Sequence, residues 1–306
     1  MRLGLVTPIV SLNPRFTPPD WELEGGIDDI VAVTQAAESL GYAWVGCPEH
    51  VAVPEKAVAE RGSRYWDPVA TLAYLAAETT TIRLLSHVVV LGYHHPLAVV
   101  KRFGTVDLVS GGRFVLGVGV GTLRAEFSLL GADFERRGEL ADEAIRTIRA
   151  AWGRHTAEVP KPGGGTSRWV VEPSGASTEV PIWVGGLTAR SLRRALELGD
   201  GWVPFGLSAD QLAEMLGRPG VAERVAARSG FEVVLAPEPP LDPVGDPAGA
   251  ALAVRRYADL GATALALRFC HRSRSHYLEQ MAAMPAVLDA ADLMLSGPDI
   301  HLAQSG

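Results

Sequence analysis

The chain has 306 residues, 47% of them hydrophobic, and a formal charge of −7. That is enough apolar content for a large buried core, which excludes a disordered or fibrous chain, and no stripe of Lys and Arg is present to grip a nucleic-acid backbone. The two cysteines, Cys47 and Cys270, stand far apart without disulfide or zinc-ligand spacing, and both are expected to pack as small apolar residues.

In chain order, eight short apolar runs read as strands: 3–6, 43–46, 82–90, 114–118, 182–184, 201–204, 232–235 and 263–268. Each is continuous rather than alternating, as expected of strands covered on both faces. The phrase Leu-Gly before an apolar run recurs at Gly41, Gly199 and Gly261, where a helix would stop in a left-handed residue. Helix starts are marked by Asp67–Pro68, by His95–Pro96, and by Ser208 with Gln211 as a capping box. Leu140, Ala144, Ile148 and Ala151 form one apolar stripe for packing on a sheet. Eight alternations of strand and helix predict a single α/β domain over 1–306, a (β/α)8 TIM barrel. Two stretches break the rhythm, a Gly/Pro/Ser-rich segment at 160–181, read as an insertion after the fourth βα unit, and a proline-laden loop at 236–249. No run reaches about 18 apolar residues and the first residues lack a signal-peptide pattern, so a soluble, cytoplasmic protein is expected, with no membrane partner.

In such a barrel the loops after the strands carry function. The second strand, in "GYAWVGCPEH", ends in Glu49 and His50. An imidazole there can exchange a proton with a bound molecule while a nearby carboxylate fixes its tautomer. The competing reading is that His50 only caps the strand. The fifth strand ends in "VGGLTARS", where Gly185, Gly186, a helix start near Thr188 and Arg190 could cradle a phosphate, or could be an ordinary strand-to-helix turn. "GVGVG" lacks dinucleotide-fingerprint spacing. His87 stands inside the third strand, where a hydrogen-bonded core histidine is the commoner role. His94 could face the pocket, and Trp66, Trp169, Trp183 and Trp202 read as core or barrel-end packing. No metal-ligand spacing is present, so no metal site is expected.

Four stretches in register, "LGYAWVGCPEHVAVP", "YWDPVATLAYLAAETTTIRL", "HHPLAVVKRFGTVDLVSGGRFVLGVGVGTLRAEFSLLGADFERRG" and "PIWVGGLTARSLRRALELGDGWVPF", resemble the bacterial luciferase-like monooxygenase family. Within it they are most similar to the actinobacterial branch that uses the 5-deazaflavin coenzyme F420. The likeness is strong over about residues 1–205 and weak beyond. It implies a homodimer whose barrel mouth holds F420, or FMN with a separate reductase and O2, acting on a small organic substrate. It implies that His50, with Glu49, handles a proton at the ring, and that Gly185, Gly186, Leu187 and Arg190 meet the cofactor phosphate. Val118, Gly119, Val120 and Gly121 would line the ring or phosphate side, and a non-prolyl cis peptide would fall at His87–Val88. Departures are His87 itself, where relatives carry a small residue, and Thr122 and Pro54, where the family's sugar-phosphate dehydrogenases carry Glu and Trp. The 160–181 segment also lacks the aromatic stretch usual in relatives. Rival readings are a redox-inert phosphate-binding isomerase or aldolase barrel, and a barrel that binds a cofactor without turnover.

Overall fold

In a computed structural model, which describes residues 1–14, 18–161 and 163–297, a parallel barrel closes on itself. Its wall consists of β1 (Arg2–Val6), β2 (Trp44–Cys47), β3 (Arg83–Ser86) continued by β4 (Val89–Val90), β5 (Phe114–Gly119), β8 (Ile182–Gly185), β9 (Gly201–Val203), β10 (Glu232–Leu235) and β11 (Ala264–Leu267). Counting β3 and β4 as one wall segment gives the expected eight. The ring shuts where Leu84 of β3 pairs with Phe114 of β5. All these pairings are parallel, so every strand delivers its carboxyl end to the same mouth.

Why the wall strands are apolar throughout is visible in two cores. Inward residues such as Leu85, Val115, Val203 and Val234 fill the lumen around Trp44 and Trp183, whose rings meet edge to face at 5.2 Å. Outward residues such as Leu3, Val45, Leu84, Leu116 and Val184 pack against the helices. In the helix Arg137–Ala151 the buried face runs through Ala141, Ala144, Ile145, Ile148 and Ala151, one position round from the stripe that starts at Leu140. Asp67, His95 and Ser208 cap their helices as read, each side chain accepting a backbone N–H. Gly41 and Gly261 are left-handed, whereas Gly199 is extended and ends its helix without that turn.

Two strand expectations need correction. The third strand does not run unbroken over 82–90: the ladder stops at Ser86 and resumes at Val89, and the His87–Val88 peptide between them is cis. The insertion is an antiparallel hairpin, β6 (Thr156–Pro160) with β7 (Thr166–Val170), starting four residues earlier than read from composition. It lies between the helix Arg137–Ala151, which follows β5, and β8, so its place after the fourth unit stands. Trp169 sits on that hairpin with 57% of its surface exposed, so it is not part of the core. Cys47 is buried, but Cys270 is exposed at the barrel mouth rather than packed inside.

Candidate functional site

Glu49 and His50 follow β2 by way of Pro48, at the carboxyl end of the wall. Although adjacent in sequence, they take different partners. His50 Nδ1 lies 2.6 Å from Glu126 Oε2, and Glu49 Oε1 lies 2.7 Å from His94 Nε2. Two carboxylate–imidazole pairs therefore stand side by side across the ends of β2, β4 and β5.

Glu126 comes from the short helix Arg124–Leu129 that follows the glycines of β5. It is 1% exposed, and its carboxylate is fully engaged. Oε1 accepts the backbone N–H of Val51 at 2.6 Å and of Ala52 at 3.1 Å, while Oε2 accepts the Tyr93 hydroxyl at 2.8 Å as well as His50. Burial alone would push this carboxyl up, but the hydrogen bonds from His50, Tyr93 and the Ala52 amide outweigh it and hold Glu126 below the usual carboxylate range. An ionised Glu126 makes Nδ1 the protonated nitrogen of His50, so the free lone pair is on Nε2. Nε2 has no protein partner among the described residues. Tyr65 fixes the ring from the side, edge on at 4.4 Å.

The Glu49 carboxylate faces the other way. Its second oxygen accepts the Val90 N–H at 2.7 Å, two residues past the cis peptide. Glu49 thus ties the end of β2 to β4, and holds His94, whose Nδ1 faces Arg102 Nη1 at 3.4 Å.

Val88 stands between them as a half-buried side chain on top of the lumen core. It fits because two wall strands carry no side chain beside it. A Cβ at Gly119 would meet Val88 Cγ2 at 2.6 Å, and one at Gly185 would meet Cγ1 at 2.9 Å. His87 lies against Gly46 of β2, with Nε2 buried and without a partner. Burial, with help from the nearby Arg268 charge, lowers this imidazole to about 4, so it is neutral near neutral pH.

The remaining residues named from sequence divide. Val118 is buried with its side chain in the outer core, so only its backbone faces neighbours in the wall. Val120 packs against that core, and Gly121 turns with a positive φ beside Val90 and Phe127. Gly185 ends β8, Gly186 has φ +122°, and Leu187 and Arg190 are exposed. The helix Ala189–Leu198 starts here, capped by Thr188 and Ser191 in a mutual hydrogen-bond pair. This turn and His50 share one end of the barrel because both follow parallel strands.

Sequence reading missed Glu126, Tyr93 and Tyr65 as parts of the site. The signal for Glu126 was modest: an acidic residue in the first turn of a helix directly after strand-end glycines. Thr122, four residues before Glu126, accepts a hydrogen bond from Arg61 at 3.2 Å through its hydroxyl. No group of three or more His, Cys, Asp or Glu residues is placed to hold a metal ion among the described residues, and none of the helices described is long and apolar enough to cross a membrane.

The profile described as Luciferase-like monooxygenase matches residues 1–239. An uncharacterised Mycobacterium tuberculosis protein is 28% identical over 274 residues, 82% of this chain and 92% of its own. A second M. tuberculosis protein, provisionally named a coenzyme F420-dependent oxidoreductase, is 27% identical over 188 residues, 55% of this chain and 53% of its own. Among solved structures, a Streptomyces bottropensis monooxygenase superposes with a TM-score of 0.62 at 21% identity, covering 98% of this chain and 92% of that one. An F420-dependent secondary alcohol dehydrogenase bound to an F420–acetone adduct gives 0.59 at 17% identity, covering 97% and 86%. A riboflavin lyase with modified FMN and riboflavin gives 0.62 at 17%, covering 98% and 88%.

Proposed function

The chain belongs to the luciferase-like monooxygenase family, and from that premise we propose an oxidoreductase that uses coenzyme F420 to move hydride to or from a small organic substrate, with His50 exchanging the accompanying proton. The observation that carries the reading is the His50–Glu126 pair at 2.6 Å, with the Nε2 lone pair left at the barrel mouth. The Glu126 carboxylate holds the hydrogen on Nδ1 and the ring in place, so His50 can take a proton at Nε2 and return it without leaving its place. The same arrangement is what a proton-transfer histidine needs whichever way hydride flows.

The residues present fit a deazaflavin on three counts. The floor around Val88 is kept open by Gly119 and Gly185, the Gly186 turn and Arg190 offer backbone N–H groups and a cation for a phosphate, and the unpaired His87 Nε2 would meet a polar atom of the ring. When bound, the ring supplies the hydride chemistry. Glu49 acts in this reading as a brace: by holding Val90 and His94 it fixes the floor on which the ring would lie. Support for F420 comes from the provisional name of the M. tuberculosis relative and from the alcohol dehydrogenase with its F420 adduct.

FMN is the second reading, favoured by the family's own description and by the FMN-bearing riboflavin lyase. The enzyme would then be a monooxygenase supplied with reduced FMN by a separate reductase. Titration of the apo-protein with each cofactor, followed by fluorescence, decides between them. The expected result is saturable binding of F420 at micromolar concentration; binding of FMN with none of F420 overturns the proposal. His50→Asn should abolish proton exchange while leaving that binding in place.

A further inference from the structure

Tyr93 closes the short turn Leu91–Tyr93 that follows β4, and its hydroxyl donates to Glu126 Oε2 at 2.8 Å, the same oxygen that faces His50 Nδ1 at 2.6 Å. Two donors therefore share one oxygen, while Oε1 is taken up by the Val51 and Ala52 amides. The backbone on both sides is fixed for this meeting. Phe127, the neighbour of Glu126, is fully buried, with its ring edge on to those of Tyr93 at 4.8 Å and Phe134 at 5.2 Å. Gly92 and Gly121 let two turns press on that ring, since a Cβ at either would stand 2.7 Å from it. Phe127 is thus an anchor for both partners, and what the Tyr93 hydroxyl contributes is separable from what its ring contributes.

The shared oxygen decides what that hydroxyl does. Burial first, and then the bond to Glu126 and its charge, push the Tyr93 phenol far above its ordinary range, with Glu49 adding to the rise and Arg61 opposing it. Tyr93 is therefore a donor that never gives up its proton. Its bond engages negative charge on Oε2 that the imidazole would otherwise meet alone, and it is one of the bonds that keep Glu126 ionised. Without the hydroxyl, the carboxylate would pull harder on the Nδ1 hydrogen. With it, the carboxylate orients the ring and leaves that hydrogen on the imidazole.

We propose that Tyr93 is a positioning residue that acts on His50 through Glu126: its hydroxyl occupies part of Oε2, so the hydrogen stays on His50 Nδ1 and the lone pair stays on Nε2. The role rests on the reading of His50 as the proton-exchanging group, but the hydrogen-bond arrangement is measurable without cofactor or substrate.

The test is NMR of the full-length protein with nitrogen-labelled histidine, at about pH 8, where an ordinary imidazole is neutral. The His50 signals are those missing from His50→Asn. The parent should carry hydrogen on Nδ1 alone, with that proton downfield of a free imidazole N–H. Tyr93→Phe keeps the ring against Phe127 and removes only the second donor, so the His50 Nδ1 proton should move further downfield as its bond to Glu126 tightens. Replacing Tyr93 with 3-fluorotyrosine, a more acidic phenol and so a stronger donor, should move the same proton upfield. Loss or gain of packing would not produce these opposite signs. A parent with the hydrogen on Nε2, or an Nδ1 proton that stays put or shifts the same way in both variants, overturns the proposal. Titration with F420 keeps the two readings apart. A parent that binds no F420 while both shifts appear loses the proposed cofactor and keeps the Tyr93–Glu126–His50 arrangement; F420 binding without the shifts does the reverse.

Discussion

The two sides of the barrel mouth are built on opposite plans. On the β2–β5 side nearly every polar group is matched: Glu126 takes four hydrogen bonds, Glu49 two, and His50 and His94 are each pinned through a ring nitrogen. On the β1–β11 side a cavity keeps the Thr7 and Tyr277 hydroxyls unmatched. Matched buried networks fix geometry, which a proton-transfer group requires, whereas unmatched donors are what a ligand can still satisfy. The difference separates the part of the mouth that holds chemistry in place from the part that waits for a molecule.

The hardest blow to this contrast would be struck at Glu126. Glu126→Ala strands the Val51 and Ala52 amides, the Tyr93 hydroxyl and His50 at once, and removal of one partner from a buried charged network typically costs about 3–5 kcal/mol. The variant should therefore unfold at clearly lower denaturant than the parent. Glu126→Gln keeps the shape but loses the charge, and turnover in any assay that reads the parent should fall by about 10²–10⁴ through loss of the correctly protonated His50. A Glu126→Ala protein as stable as the parent would show that the matched side is not what fixes the mouth.

Next in size is the floor. Gly119→Ala places a methyl 2.6 Å from Val88 Cγ2, and overpacking of this kind costs typically about 1–3 kcal/mol, read as a shift in denaturant midpoint with unchanged slope. Cofactor binding should weaken with it, since Val88 has to move. Glu49→Gln should do less. The amide can still accept the Val90 N–H, so stability should change by roughly 1 kcal/mol, read as a small shift in denaturant midpoint.

Much of this frame was legible in the chain. Strand-length apolar runs, Gly just past helices and caps such as Asp67 and Ser208 are local signals, and each of the eight wall segments lies where such a signal stood. The barrel end carrying His50 and Gly186 followed from parallel order alone. Which carboxylate serves His50 did not. Adjacency pointed to Glu49, but a residue that follows a strand through a proline can turn its side chain to another wall, and Glu126 reaches His50 from 76 positions away. The cavity was beyond reach for the same reason, because Thr7, Glu22 and Tyr277 are brought together only by closure between the first and last strands. Trp169 misled because ring size predicts burial on average, while a protruding hairpin has no core to offer it.

The smallest effect sits at the one unmatched ring nitrogen described on the wall between β3 and β4, at His87. The residue is half-buried, its Nε2 is fully buried and unpaired among the described residues, and burial together with the Arg268 charge brings the imidazole down to about 4. In the unfolded chain the same group titrates near 6.5. Above that value neither state binds the proton and His87 leaves stability independent of pH. As pH falls from about 6.5 toward 4 the unfolded chain is protonated and the folded one is not, so stability declines across that window and levels off once the folded group protonates as well. Glu126 adds a loss of the same sign at lower pH, because a carboxyl held below its ordinary range contributes stability above that range that disappears as it protonates. The two separate by substitution: His87→Asn should flatten the slope of denaturant stability between pH 6.5 and 5 and leave the more acidic decline in place. An undiminished slope in that variant would mean that His87 reaches solvent, and that the unmatched character of the cavity side does not extend to the ring floor.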